Sequence, residues 1–399
     1  MKKKLLLSIF AIFNYLGSKA QWVQVTSGIS DYDIQSVVAS GTYVFAGSDF
    51  DGVYRSSNNG ASWTKYNSGL TNLDVNVLVA SSTTIYAGTE GGGMFKSTNN
   101  GNSWTAINTG LTNLEIKSIL LNGSTIIIGT YYGGVFRSLN DGASWTAINT
   151  GFPSSEITLA FAASGNNIFA GTANTGVYLS TNNGDTWTQM VTGLTTNHVT
   201  SLAINGTTIY AGTFGGGVFT STNNGNSWTA KNTGIPPSLI IRAFLVNGST
   251  VFAAAGGSVA YSLNSGDNWT MFEQGMTYFD VRSLTKNSTK IFTGNYGGGV
   301  FTRPLSEAVG INDLIQNNPN VALYPNPFNT HLTLEINGEI QNQETELVIY
   351  GALGQVVMQL KNITDKKVNI ERENLADGMY FYQLSQDNKV IATGKLIAE

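Results

Sequence analysis

The chain has 399 residues, of which 41% are hydrophobic and 11% aromatic, so it carries enough apolar material for a packed core and is not a disordered polymer. Charged residues make up only 12% while glycine reaches 46 copies, a balance that suits many short strands joined by tight turns. The formal net charge is -4 and there is no cysteine, which excludes disulfides, thiolate chemistry and the lipid anchor of a bacterial lipoprotein.

Lys2, Lys3 and Lys4 precede an apolar run from Leu5 to Leu16, and Ser18-Lys19-Ala20 then offers small residues at cleavage positions. This predicts a secretory signal peptide over residues 1–20, too short to be a membrane span. Its removal takes away four lysines (Lys2, Lys3, Lys4, Lys19), so -4 becomes -8. No basic tract remains, which excludes nucleic acid as a partner.

Seven tryptophans follow: Trp22, Trp63, Trp104, Trp145, Trp187, Trp228 and Trp269, spaced 41, 41, 41, 42, 41 and 41 residues apart. The last six close near-copies of one phrase, from SSNNGASW in the first to SLNSGDNW in the sixth. A period near 40 marks a repeat architecture. In the unit from His198 to Gly234, HVTSLAING reads as a strand ended by an Asn-Gly turn. TTIYAGT, GVFTST and SWTAKNTG supply three more strands. Four strands in one such period form one blade of a propeller.

The phrase Ser-x-Asn/Asp-x-Gly-x-Ser/Thr-Trp resembles the Asp-box, or BNR repeat, found in sialidases, sortilin-type receptors, xyloglucanases and photosystem assembly factors. The resemblance implies a β-propeller with the box at the turn between the third and fourth strands. Here Asn stands at the third position of every box: Asn58, Asn99, Asn140, Asn182, Asn223 and Asn264. The box asparagines and the tryptophans are read as structural, satisfying turn backbone and packing between blades. Trp22 has no box before it, and the last unit has no tryptophan after it. QWVQVTSGI is therefore expected to supply the last blade's outer strand, closing seven blades over residues 21–303 and removing the exposed edge.

Alignment of the units with one another leaves two variable rings. The first precedes each inner strand: Asp33, Asp74, Glu115, Glu156, His198, Ile240 and Asp280. The second lies between the second and third strands: Asp49-Phe50, Glu90, Tyr131-Tyr132, Asn174, Phe214, Ala255 and Tyr296. Two residues beyond the first ring stand Gln35, Asn76, Lys117, Thr158, Thr200, Arg242 and Arg282. Both rings are expected on the face opposite the box turns, around the channel mouth. The bland reading is a solvated mouth whose cations neutralise its carboxylates. The sharper one is a cation or polar-ligand site formed by the acidic ring of Asp33, Asp74, Glu115, Glu156 and Asp280, with Phe50, Tyr131, Tyr132, Phe214 and Tyr296 as stacking platforms for sugar.

Catalysis is the minority reading, and no catalytic residue, metal ligand or cofactor is assigned. A sialidase-like site needs three converging arginines, and the arginine-isoleucine-proline signature is missing. A xyloglucanase-like carboxylate pair, which needs two carboxyls at a defined separation, stays open as the alternative function. His198 and His331 are the only histidines and fall in different domains, so neither a His-based metal site nor a Ser-His-Asp triad is expected.

After a linker at 304–319, residues 320–399 change texture and read as a small β-sandwich. Leu323–Phe328 (LYPNPF), Ile349–Val357 (IYGALGQVV), Leu375–Leu384 (LADGMYFYQL) and Gly394–Glu399 (GKLIAE) resemble the C-terminal sorting domain of the type IX (Por) secretion system of Bacteroidetes. Its motif positions here are Tyr324, Pro325, Asn326, Pro327, Gly354, Gly378, Tyr380 and Lys395. The resemblance implies export across the outer membrane by the type IX machinery, to the cell surface or the medium. The expectation is therefore an all-β, seven-bladed propeller closed by an N-terminal strand and followed by a β-sandwich sorting domain. It would act as a monomeric binding scaffold for an extracellular glycan or protein.

Overall fold

The computed structural model describes residues 21–277, 280–305, 320–337, 345–351, 356–372, 375–386 and 389–399. The expected signal peptide, nearly all of the expected linker, and Gly354 lie outside the described residues. Every element of two or more residues among them is a β-strand. The chain divides into two compact units between Pro304 and Leu305.

The first unit contains seven four-stranded antiparallel sheets. In the first, Ile34–Ser40, Tyr43–Ser48, Val53–Ser56 and Thr64–Lys65 pair in sequence order, and the next five sheets repeat that order. The second strand is buried along nearly its whole length, as in Tyr43–Ser48. This is why the units read as apolar runs (YVFAGS, TIYAGT) rather than as an in-out alternation. The first strand, Ile34–Ser40, touches both the corresponding Val75–Ser81 and Asp280–Lys286, so the inner strands form a closed ring. The last sheet is completed from the other end of the chain. Val23 pairs with Thr302 and Gln24 with Phe301, which makes Val23–Gln24 the outer strand after Gly299–Pro304.

Between sheets, each tryptophan from Trp63 to Trp269 sits in an apolar cluster drawn from two consecutive units, as Trp104 does with Phe45, Val53, Ile85 and Phe95. All seven are nearly inaccessible, between 2% and 5% exposed. Burial of an indole N–H requires an acceptor. Each finds the carbonyl of the residue three positions beyond the preceding tryptophan: Trp63 Nε1 donates to Val25 at 2.8 Å, Trp104 to Tyr66 at 2.7 Å and Trp228 to Met190 at 3.0 Å. Trp22 donates to Phe272 at 2.7 Å, so the circuit closes across the seam by the same bond. The backbone repeats this link, with Trp145 N–H on Thr109 O at 2.9 Å. Gly28, Gly69, Gly110, Gly151, Gly193, Gly234 and Gly275 follow the accepting residues at positive φ, and at each one a Cβ would strike a tryptophan carbonyl.

The box turns are hydrogen-bonded from within. Ser56 Oγ donates to Asn58 Oδ1 at 2.9 Å and accepts from Gly60 N at 2.9 Å, while Asn58 Oδ1 accepts from Ser62 N at 2.9 Å. Asn99, Asn140, Asn182, Asn223 and Asn264 repeat the pattern. An amide oxygen is sufficient because the turn needs only an acceptor.

The second unit holds two sheets. One orders Val321–Tyr324, His331–Ile336 and Lys367–Glu371; the other orders Val356–Leu360, Thr345–Gly351, Gly378–Gln386 and Lys389–Ala398. Leu332, Leu334 and Ile370 from the first pack with Leu347, Ile349, Leu384 and Leu396 from the second, the core of a sandwich.

Candidate functional site

Antiparallel pairing sets the two ends of each blade. Ile34 pairs with Ser48, so the residues before the inner strand and the loop between second and third strands share one face, and the box turns lie on the other. At this loop face every inner strand carries a register shift near its start, as between Ile34 and Ser36, Ile241 and Ala243, or Val281 and Ser283. The extra residue of each bulge is Gln35, Asn76, Lys117, Leu159, Thr200, Arg242 or Arg282.

The fourth unit corrects the sequence alignment. Its strand starts at Thr158, which pairs with Thr172 as Ile116 pairs with Thr130. The extra residue of the 42-residue spacing is therefore absorbed before the strand, and Ile157, not Glu156, holds the first-ring position. The backbone bonds agree, since Ala173 N donates to Ile157 O at 3.0 Å as Tyr131 N does to Glu115 O at 3.0 Å. Ala173 accordingly replaces Asn174 in the second ring, and Leu159 replaces Thr158 at the bulge. Glu156 is buried, with Oε1 accepting from Ile157 N and Asn174 Nδ2, both at 2.9 Å. In the sixth unit Gly256 takes the loop position, donating to Ile240 O at 2.9 Å, while Ala255 is buried in its strand.

The remaining carboxylates at the mouth are mostly engaged. Asp33 Oδ1 accepts from Gly297 N at 2.7 Å, across the seam. Lys117 Nζ lies 3.1 Å from Glu90 and 3.0 Å from Glu115. Burial opposes the Lys117 charge, but the two carboxylates outweigh it and its pKa lies above the ordinary value. Asp280 is held between Arg242 at 2.8 Å and Arg282 at 3.0 Å. Burial depresses the Arg282 pKa, with Arg242 adding to the effect. Burial raises the Asp49 carboxyl despite the 2.6 Å bond from Gln35 Nε2. Asp74 is the outlier: burial, then Glu90 and Asp49, push it up to about 6, and its Oδ1 is buried without a partner. His198 is pushed down by burial and by Arg242, and its ring stacks on Phe214 at 5.1 Å.

The five platform residues are all exposed: Phe50 at 72%, Tyr132 at 53%, Phe214 at 51%, Tyr296 at 43% and Tyr131 at 37%. Tyr296 lies under Arg282, and Tyr131 under Lys117. The structure adds Tyr32, Leu73 and Leu114, exposed residues two positions before the inner strands, which were not singled out in the sequence. The signal was present, since these apolar residues occupy one repeat position in a loop. Among the described residues of the propeller, eight of eleven exposed large hydrophobic side chains thus lie on the loop face; Leu139 and Leu263 lie at box turns and Val23 on the outer strand. No group of three or more potential metal ligands occurs among the described residues.

In the second unit the motif residues converge on the chain end. Asn326 Nδ2 donates to Lys395 O and Asn326 Oδ1 accepts from Ile397 N, both at 2.8 Å, so one side chain clamps the terminal strand. Phe328 N donates to Ile397 O at 2.9 Å. Tyr324 bonds Glu335; Pro325 and Pro327 follow cis peptides; Gly378 has a φ of 151°; and Tyr380 OH reaches Ala376 O at 2.8 Å.

The fold is that of a β-propeller followed by a small β-sandwich. The propeller region matches the DUF6242 beta propeller domain over residues 10–114 and 110–234, more than half of the chain, and the chain belongs to that family. Residues 322–399 match the secretion system C-terminal sorting domain, which assigns the protein to type IX secretion and to the cell surface or extracellular space. No curated protein matches the sequence significantly. Among solved structures, YCF48 bound to D1 peptide aligns with a TM-score of 0.57 at 15% identity, covering 73% of this chain and 97% of that one. PorZ, a surface component of the type IX secretion system of Porphyromonas gingivalis, aligns at 0.54 and 14%, covering 94% and 60%. The GH74 xyloglucanase of Xanthomonas campestris aligns at 0.56 and 14%, covering 79% and 59%. These likenesses are of fold.

Proposed function

We propose that this protein is a non-catalytic, monomeric recognition propeller of Asp-box type, exported as residues 21–303 with its sorting domain, that binds an extracellular glycan or protein through the loop face. The observation that carries the reading is the concentration of exposed aromatic and aliphatic side chains on that face, beside carboxylates already matched to Lys117, Arg242 and Arg282. Ion-paired carboxylates are poorly placed for acid–base work, whereas exposed aromatics beside polar groups suit a contact surface. That YCF48 is described with a bound peptide is compatible with a propeller of this kind acting by binding.

Capture of extracellular ligands by the full chain, compared among wild type, Phe214→Asp and Tyr296→Asp on the loop face and Leu139→Asp on the box face, tests the reading. Loss in the loop-face variants alone is expected; loss only in Leu139→Asp overturns it. A hydrolase is favoured by one observation, the Asp74 carboxyl at about 6, the range of a general acid. Release of new reducing ends from a bound polysaccharide, abolished by Asp74→Asn, would establish that alternative.

A further inference from the structure

Four units share one loop geometry between the second and third strands. At the residue after the ring position, Gly91 has φ 88°, Gly215 φ 80° and Gly297 φ 76°. The third unit keeps the left-handed backbone at φ 55° but places Tyr132 there. A bulky L-residue in this region is strained, and glycine is the unstrained solution that its three sister loops use. A Cβ built on Gly91 or Gly215 meets nothing within 4 Å, so the scaffold does not close over the root of a side chain at this position. Tyr132 is accordingly 53% exposed, with Tyr131 as its ring neighbour, T-shaped at 4.4 Å. A strained residue that gains so little packing is explained by a contact made outside the chain.

We propose that the Tyr131–Tyr132 pair is a sugar-ring platform, binding a pyranose of a neutral polysaccharide. The proposal rests on the loop-face reading above and names the ligand class of one sector of it. Two tyrosines inclined at 70° present one ring face and one edge, a corner that a pyranose fills with its axial C–H groups on the face. The polar rim is Glu90, Glu115 and Lys117, whose charges are paired at 3.1 and 3.0 Å. Their remaining acceptor and donor capacity suits hydroxyl groups. An anionic ligand would meet Glu90, Glu115 and Asp74 together, and a cationic one would have to displace Lys117 from both carboxylates.

The test compares the full chain with Tyr132→Gly, using affinity electrophoresis in xyloglucan, mixed-linkage β-glucan and mannan, a lysine- and arginine-rich peptide panel by calorimetry, and thermal unfolding. The expected result is retardation of wild type by at least one neutral polysaccharide, weakened about tenfold or more in Tyr132→Gly, with a Tm unchanged or raised because glycine relieves the strain. A Tm lowered in Tyr132→Gly by more than the roughly 2–4 °C that glycine's looser unfolded chain costs overturns the proposal, since the ring would then be packing. Unaltered polysaccharide binding by the variant also overturns it. Binding of basic peptide and of no polysaccharide overturns the sugar assignment while the loop-face reading stands; that reading fails on its own terms if only Leu139→Asp loses ligand.

Discussion

Replacing Gly110 by Ala tests whether the glycine-tryptophan contacts hold the blades in place. Gly110 sits at φ 92°, and a Cβ there falls well inside van der Waals contact with the Trp145 carbonyl oxygen, with the carbonyl carbon at 3.3 Å. Left-handed backbone costs an alanine about 1–2 kcal/mol. Relieving the overlap means moving the neighbouring strand, which weakens the Trp145 N–H bond to Thr109 O at 2.9 Å and the Nε1 bond to Ile107 O at 2.7 Å. At about 1 kcal/mol for each bond lost, and with about 0.5–1 kcal/mol returned by the stiffer unfolded chain, the net destabilisation is about 2–3.5 kcal/mol. For a domain of this size that lowers Tm by roughly 5–10 °C in calorimetry or far-UV circular dichroism. Gly123→Ala is the control: its φ is 61° but nothing lies within 4 Å, so only the backbone cost applies, within about 1 kcal/mol. Equal shifts for the two variants would refute the contact and leave only backbone strain.

Three further outcomes follow from the seam, the mouth and the tail. Deleting residues 21–28 removes the outer strand and Trp22, whose burial alone is worth up to about 4–6 kcal/mol, so Tm should fall steeply and proteolysis should begin in the last blade; unchanged unfolding would sink the closure. Asp74 binds its proton more tightly folded, at about 6, than unfolded, at 3.8, so the stability it gives to the protonated form is full below about pH 4 and is lost as pH rises to about 6. Asp74→Asn should therefore raise Tm by about 2–4 °C at pH 7.5, the charge being partly screened, and not at pH 4; an equal gain at both pH values refutes the burial argument. Asn326→Ala should cost the sorting unit about 2 kcal/mol through two lost bonds and leave protein in the periplasm, as should removal of the strand carrying Lys395. Normal export of either variant would count against the clamp.

The repeat was legible because it is written in residues whose chemistry is local. Asn58 and its five counterparts bond within five residues of themselves, and the period of Trp63 to Trp269 depends only on chain length. Trp22 could be read as the clasp because a closed ring must complete its last sheet. What the sequence leaves hidden depends on partners one blade away. The Ser-Gly and Thr-Gly pairs ahead of the first six inner strands, and Gln274-Gly275 ahead of the seventh, look like ordinary turn residues, and only the approach of the next tryptophan shows why Gly110 carries no side chain. Glu156 was misplaced because Glu156-Ile157 copies Glu115-Ile116 in letters, while the extra residue in Phe152–Ile157 moves Thr158 to the strand start. A buried carboxylate with backbone and amide donors then replaced an expected mouth residue.

The two faces divide the energetics between them. On the box side, Arg55 reaches Asn100 O and Asn102 of the next turn, Arg137 reaches Asn183 O and Asp185, and Lys96 and Lys231 pair with Asp141 and Asp267, so successive blades are joined by side chains as well as by indoles. On the loop side, Asn67, Asn108, Asn149 and Asn232 bond the backbone at the base of four of the seven loops, as Asn67 does with Val53 N at 2.8 Å and Asp51 O at 2.7 Å. The loops are thus anchored below their tips, and residues such as Phe50, Tyr132 and Phe214 can change with little effect on the ring. A side chain at those tips contributes little to folding, so its presence there, above all where glycine fits the backbone better, is evidence about what the tip touches.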